Sequence, residues 1–186
     1  MSRLERIASG IRWKEFLTII VRHESRMEDE PISLELIDIS ARVQAATVVV
    51  SARPEDSMAI TLSWAGGELV ESAYDAFTAL CAIRERLANL ELTPRCFGAC
   101  RNLVLSGMAY QMSRGLKGYL VRLGEAARQS DLVRIFDAGL GMDLATVEEQ
   151  QEFKRMWLRS LGGTRGRYLF ITVEARLRDS QCERDA

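Results

Sequence analysis

Between residues 33 and 65 the chain carries three strand signals in succession, with no helical period among them. The segment 33–40, SLELIDIS, is the least marked of the three. The segment 47–52, TVVVSA, is continuous and β-branched, as in a strand buried on both faces. The segment 58–65 alternates Ile60, Leu62 and Trp64, the period of a half-buried strand. The connection 52–57, ARPEDS, carries Pro54 and two acids and reads as a solvated hairpin loop. Strands that follow one another through short polar turns pair antiparallel. A doubly wound parallel sheet needs stricter alternation with helices, so this run points to an α+β fold with a largely antiparallel sheet packed with three main helices.

The helices come from the 3.6-residue period. Over 11–27, Trp13, Phe16, Leu17, Ile20, Val21 and Met27 share a face. Ser72 opens a second helix through Leu90, with Asp75 three residues on in a capping-box-like start and an apolar face of Phe77, Leu80, Cys81, Ile83, Leu87 and Leu90. A capping box at Thr146 and Glu149 starts a third, burying Val147, Phe153, Met156, Trp157 and Leu161. A shorter helix begins at Ser106 and ends at Gly115 in a left-handed cap. Further strands are expected at 95–99, 117–123, 132–138 and 167–177. The order is α-β-β-β-α-β-α-β-β-α-β, in one domain over 1–186 with fraying at 1–10 and 179–186.

Charge is distributed unevenly. Residues 92–124 contain no Asp or Glu and carry Arg95, Arg101, Arg114, Lys117 and Arg122, a net +5 in a chain whose formal net charge is −1. Five glycines punctuate the same stretch, so its backbone is free to approach a ligand closely. Arg95, Arg101, Arg114 and Lys117, with Ser106 at a helix start, are candidates for holding an anionic group. The Gly115–Gly118 sequence GLKG lacks the spacing and the following helix of a phosphate loop. Ser106 also has a simpler role as a helix N-cap. The opposite charge collects at Glu24, Glu28, Asp29, Glu30, Glu35 and Asp38, a candidate docking surface for a basic partner, with the simpler reading of a solvated charged face.

The remaining chemistry is sparse. His23 is the only histidine, which removes multi-histidine metal sites. Cys96 and Cys100 form a C-x3-C pair without further paired ligands, so no metal and no cofactor is expected. No Ser/His/Asp or Cys/His arrangement can be argued. The near-neutral balance argues against a dedicated nucleic-acid-binding domain. No signal-peptide core and no membrane-length apolar run is present, and the four cysteines show no disulfide framework. These readings together point to a cytoplasmic protein.

One pattern resembles a known group. It comprises Tyr74-Asp75-Ala76-Phe77 with Leu80, Arg95-Cys96-Phe97-Gly98-Ala99, Ser106-Gly107-Met108, Met112, and Gly115 to Tyr119. Ile135-Phe136-Asp137, Ala145 to Gln150 and Trp157-Leu158 complete it. Across 70–161 these residues are similar to small bacterial proteins, some of which look like immunity proteins of polymorphic toxin systems. The resemblance implies a cytosolic antidote that binds a cognate protein toxin one to one and occludes its active cleft. It carries over no contact residue. In that reading the acidic 24–38 segment enters a basic cleft, with charge complementarity speeding association. A rival version sets the basic 95–122 segment against an acidic toxin surface. The alternative function is an enzyme or ligand-binding domain that uses the same basic segment on an anionic small molecule.

Overall fold

The computed structural model describes residues 30–54 and 56–162. The expected helix over 11–27, the strand over 167–177 and the acids Glu24, Glu28 and Asp29 lie outside the described residues.

The three early strand signals become β1 (Ile32–Asp38), β2 (Val43–Ala52) and β3 (Met58–Trp64), and a fourth strand, β4 (Gly67–Ala73), follows the Ala65-Gly66 turn. All neighbours pair antiparallel, and β5 (Leu92–Pro94) adds on the far side of β1, giving the order β4-β3-β2-β1-β5. Alternation sends Leu34, Leu36, Val48, Val50, Ile60, Leu62 and Leu69 into the core. Helix α1 (Ala76–Ala88) buries Ala79, Leu80, Ile83 and Leu87 in the same apolar cluster. Each such Leu, Ile or Val contributes about 1.5–3 kcal/mol.

A second, three-stranded antiparallel sheet joins β6 (Leu103–Val104), β7 (Lys117–Leu120) and β8 (Leu132–Arg134). Helix α2 (Gly107–Ser113) lies between β6 and β7, and α3 (Val147–Ser160) follows β8. Trp157 and Leu158 of α3 pack with Val104 and Val121 in a smaller cluster. The fold is therefore α+β, as the succession of strands required.

Several boundaries differ from expectation, each for a local reason. Ser72 does not open α1: it sits in β4 opposite Ala59, and Asp75 is the N-cap, its carboxylate accepting from the Thr78 N–H at 2.8 Å. The sequence 95–99 is not a strand. It leaves the sheet at Arg95, and Phe97–Ala99 forms a 3-10 turn. The strand expected at 117–123 stops at Leu120, and that at 132–138 stops at Arg134, although Ile135 and Phe136 remain buried. Leu90 and Met156, placed on buried faces by period alone, are 53% and 41% exposed. The end of α2 uses two left-handed residues, Arg114 (φ 49) and Gly115 (φ 82). At Gly115 a Cβ would stand 2.5 Å from an Asp75 carboxylate oxygen, so the glycine lets α2 end against the cap of α1.

Candidate functional site

A groove of about 500 Å³ opens where β5 leaves β1. The Arg95 N–H donates to the Glu35 carbonyl at 2.8 Å, and this is the last bond the departing chain makes to β1. Beyond it the Phe97 N–H donates to Asp137 O at 2.8 Å and the Gly98 N–H to Ile135 O at 2.7 Å. The chain thus exchanges one neighbour for another, and a gap remains between them. Residues 32–35 of β1 form one wall, Arg95 closes an end, and residues 136–138 form the other wall. Leu34 and Phe136 are almost fully buried and give the groove an apolar floor.

The groove is charged at its rim. Arg95 and Glu35 form an ion pair at 2.8 Å with side chains 44% and 51% exposed, a geometry that contributes at most about 1 kcal/mol. Asp137 is exposed, and its carboxylate has no partner among the described residues. Glu30 is exposed next to the start of β1. With Glu35 neutralised by Arg95, Asp137 leaves the groove net negative.

The candidates from the sequence fall in different places. Glu35 and Arg95, drawn from the two opposed charge clusters, meet here. Asp38 instead holds the β1–β2 turn: its carboxylate accepts from the Ser40 and Arg42 N–H groups at 2.8 and 2.9 Å and from Arg42 Nε at 2.7 Å. The Arg42 backbone bond leads the effects that lower its pKa. Arg101 is committed to Asp143 at 2.9 Å and Glu149 at 3.3 Å, and Arg114 to Asp56 at 3.1 Å. Ser106 caps α2, accepting from the Ala109 N–H at 3.1 Å. Lys117 is half-buried on β7, and its N–H donates to Ser113 Oγ at 3.1 Å. Of these five basic-segment candidates, only Arg95 lines the groove.

A buried polar joint lies between α1, the 97–99 turn and α3, and no charge or motif count finds it. Arg84 is 5% exposed. Its Nη1 donates to Gln150 Oε1 at 2.6 Å and Gly98 O at 3.1 Å, and its Nη2 to Ala145 O at 2.7 Å. Gln150 Nε2 donates in turn to Cys100 O at 2.6 Å and Gly98 O at 3.1 Å. A Cβ on Gly98 would meet Leu80 Cδ2 at 2.4 Å and Ile135 O at 3.0 Å, so any larger residue there would force Leu80 to move. Cys96 and Cys100 are buried beside this joint. Burial pushes the Cys96 thiol up to about 12 and the half-buried Cys81 thiol to about 11, which keeps both protonated at neutral pH.

Among the described residues, no group of three or more His, Cys, Asp or Glu is placed to hold a metal ion, and no helix is long and apolar enough to cross a membrane.

The residues that carry the resemblance divide between the two places. Asp75, Gly98, Gly115 and Gln150 build joints between elements, whereas Arg95, Phe136 and Asp137 line the groove. Asp137 and Phe136 have no site signal in the sequence beyond membership of that pattern. No protein-family model matches the sequence, and no curated protein matches it.

Proposed function

We propose that this protein works by binding another protein, as an immunity-type partner that holds a cognate toxin of the bacterial cytosol one to one and occludes its active cleft. The observation that carries the reading is the groove beside β1. There Glu35 of the acidic segment stands on the rim of an open cavity of about 500 Å³, opposite a second exposed acid, Asp137. An apolar floor under a rim where Arg95 offsets Glu35 and Asp137 stays without a described partner suits a basic polypeptide surface. The floor supplies desolvated contact area, and the rim steers association and selects sign.

The test is capture of the tagged protein from its own cells, followed by quantification of what accompanies it and a growth-protection assay with that partner. A toxin-like protein at near one-to-one ratio, whose binding weakens with added salt and with charge reversal at Glu35 and Asp137, supports the reading. The absence of a stoichiometric partner overturns it. So does a partner whose affinity and salt dependence ignore both changes and the replacement of Glu28, Asp29 and Glu30.

The second reading, a small anionic ligand on the basic segment, has Arg95 in the groove in its favour. It requires Arg95 to exchange Glu35 for the ligand. Arg101 and Arg114 point to carboxylates of their own. Phosphate binding that disappears in Arg95→Ala would move the assignment to this reading.

A further inference from the structure

We infer that the groove receives an extended segment of the partner polypeptide, added as a strand to the edge of β1 that no described residue covers and carrying a Lys or Arg that meets Asp137. The inference rests on the protein-binding reading above and specifies its mode. Four consecutive residues of β1, Ile32 to Glu35, line the groove. Successive side chains of a strand point to opposite faces. A cavity touching four in a row therefore runs along the strand's edge, where backbone groups are presented.

The hydrogen-bond parity agrees. Glu35 offers its carbonyl to Arg95, so the odd positions of β1 turn their backbone groups toward the β5 side. Pairing with β5 covers 36–38 and ends with that Arg95 bond. Ser33 is the next odd position. Its N–H and C=O face the groove, and they have no partner among the described residues. The other edge of β1 is fully occupied, with Ile32, Ser33 and Leu34 registered against Val48, Thr47 and Ala46. On the facing wall, Ile135 and Asp137 bond back to the 97–98 segment, while Phe136 between them makes no backbone hydrogen bond among the described residues. A strand edge whose Ser33 donor and acceptor meet no described residue, facing a second length of backbone at 136–138, fits an extended chain better than a compact ligand. The charge selects the chain: Glu35 and Arg95 cancel, and Asp137 favours a cation.

The probe is an end-capped peptide alternating threonine and lysine. Its controls are the same peptide with glutamate for lysine, and one with its central amide N-methylated. Amide shifts of the full-length protein are followed by NMR during titration. Binding is expected to move the Ser33 and Glu35 amides, to favour lysine over glutamate, and to vanish with N-methylation.

Ser33→Pro is the discriminating variant, because its lost N–H faces the open edge and is not part of the β2 ladder. It is expected to keep the parent urea midpoint and to weaken the lysine peptide roughly five- to tenfold. Asp137→Asn is expected to weaken it about two- to fivefold and to flatten its salt dependence. Unchanged affinity in Ser33→Pro overturns strand addition, as does the absence of Ser33 and Glu35 shifts at millimolar peptide. Protection of the Ser33 amide in the free monomer overturns it too, since the chain then fills its own edge. Concentration-dependent dimerisation that moves the same amides assigns the edge to a second copy and overturns it as well. A one-to-one toxin complex that ignores Ser33→Pro leaves the proposed function standing without this mode. Peptide binding at the edge in a protein with no cellular partner leaves the mode standing without that function.

Discussion

In the β1–β4 meander the buried contacts that cross strands are apolar, with Val48 opposite Leu62, Val50 opposite Ile60, and Leu62 opposite Leu69. Between α1, the 97–99 turn and α3 the burial is of another kind. The three buried polar side chains among the described residues, Asp75, Arg84 and Gln150, all lie outside the meander. Apolar contact is non-directional, so a core of this type accepts substitutions of similar volume. A buried hydrogen-bonded network is directional, and each member left without a partner carries its full desolvation cost. The meander is thus held by quantity of contact, and the joint by completeness of contact. The groove lies between them, with one wall from β1 and the other from the 136–138 segment, which bonds back to the 97–98 turn.

The largest expected effects test that distinction through conservative swaps. Arg84→Ala removes the only described donor to Gln150 Oε1 and Ala145 O, at an expected cost of about 3–5 kcal/mol in urea unfolding. Leu36→Ala, in the meander, is expected to cost about 2–5 kcal/mol. The sharper contrast is between Arg84→Lys and Leu36→Met. One ammonium cannot span three acceptors set for a guanidinium fork, so Arg84→Lys is expected to cost above about 2 kcal/mol. Leu36→Met keeps volume and is expected to cost less than about 1.5 kcal/mol. Equal penalties for these two conservative variants would show that the joint is no more directional than the meander core.

Close approach gives the next test. In Gly98→Ala the added methyl meets the buried Leu80 side chain at 2.4 Å and the Ile135 carbonyl at 3.0 Å, for an expected loss of about 1–3 kcal/mol. On the outer face of the meander, Thr47 is exposed, and Thr47→Ala is expected to stay within about 0.5 kcal/mol. A tolerated Gly98→Ala would mean that α1 and the 135–137 segment slide apart freely.

The capping box of α3 comes next. Thr146 Oγ1 accepts from the Glu149 N–H at 3.2 Å, and Glu149 returns a carboxylate to the Thr146 N–H at 2.8 Å. The cap fixes where α3 begins and so where Gln150, in its first turn, meets Arg84. Thr146→Ala is expected to cost about 1 kcal/mol. In a double-mutant cycle with Arg84→Lys it is expected to couple by more than about 0.5 kcal/mol. Strict additivity would separate the cap from the joint.

How far each region was legible in the sequence follows from the same physics. The meander announces itself through Ile60, Leu62 and Trp64 and through TVVVSA, because period-2 burial is a local property. The Thr146–Glu149 box is equally local. β4 was hidden because Ser72 and Asp75 mimic a helix start, and its pairing with β3 overrides that signal. Arg84 reads as one more charge on a helix surface; only the fold brings Gly98, Ala145 and Gln150 to it across 14, 61 and 66 positions. The groove was half legible. Glu35 and Arg95 stand out in the sequence for opposite roles, and their meeting depends on a register that no spacing encodes. Ser33 and Asp137 carry no composition signal, since what distinguishes them is their place beside the departure of β5, at an edge that no described residue covers.

The smallest expected effect separates the two regions by pH. Lys154 stands one turn beyond Gln150 on α3 and is half-buried, and burial lowers the pKa of its ammonium, with Cys81 and Asp75 opposing the shift in part. A base whose folded pKa lies below its unfolded value of about 10.4 is charged less readily in the fold. The unfolded chain then binds more protons between the two values, and stability rises with pH across that window. Below the folded pKa the cost of the buried charge is present in full. Lys154→Met is therefore expected to raise the melting temperature at pH 7 by about 2 °C, from a gain under about 1 kcal/mol after solvent screening. That advantage is expected to fade as pH rises from the folded pKa of Lys154 through about 10.4, above which the parent lysine is neutral in both states. Burial lifts the Cys81 thiol to about 11, so the parent and the variant are compared at each pH and the difference between them is the readout. An advantage that persists undiminished at pH 10.5 would trace to packing. A loss at pH 7 would show that the ammonium is well solvated and that the joint ends at Gln150.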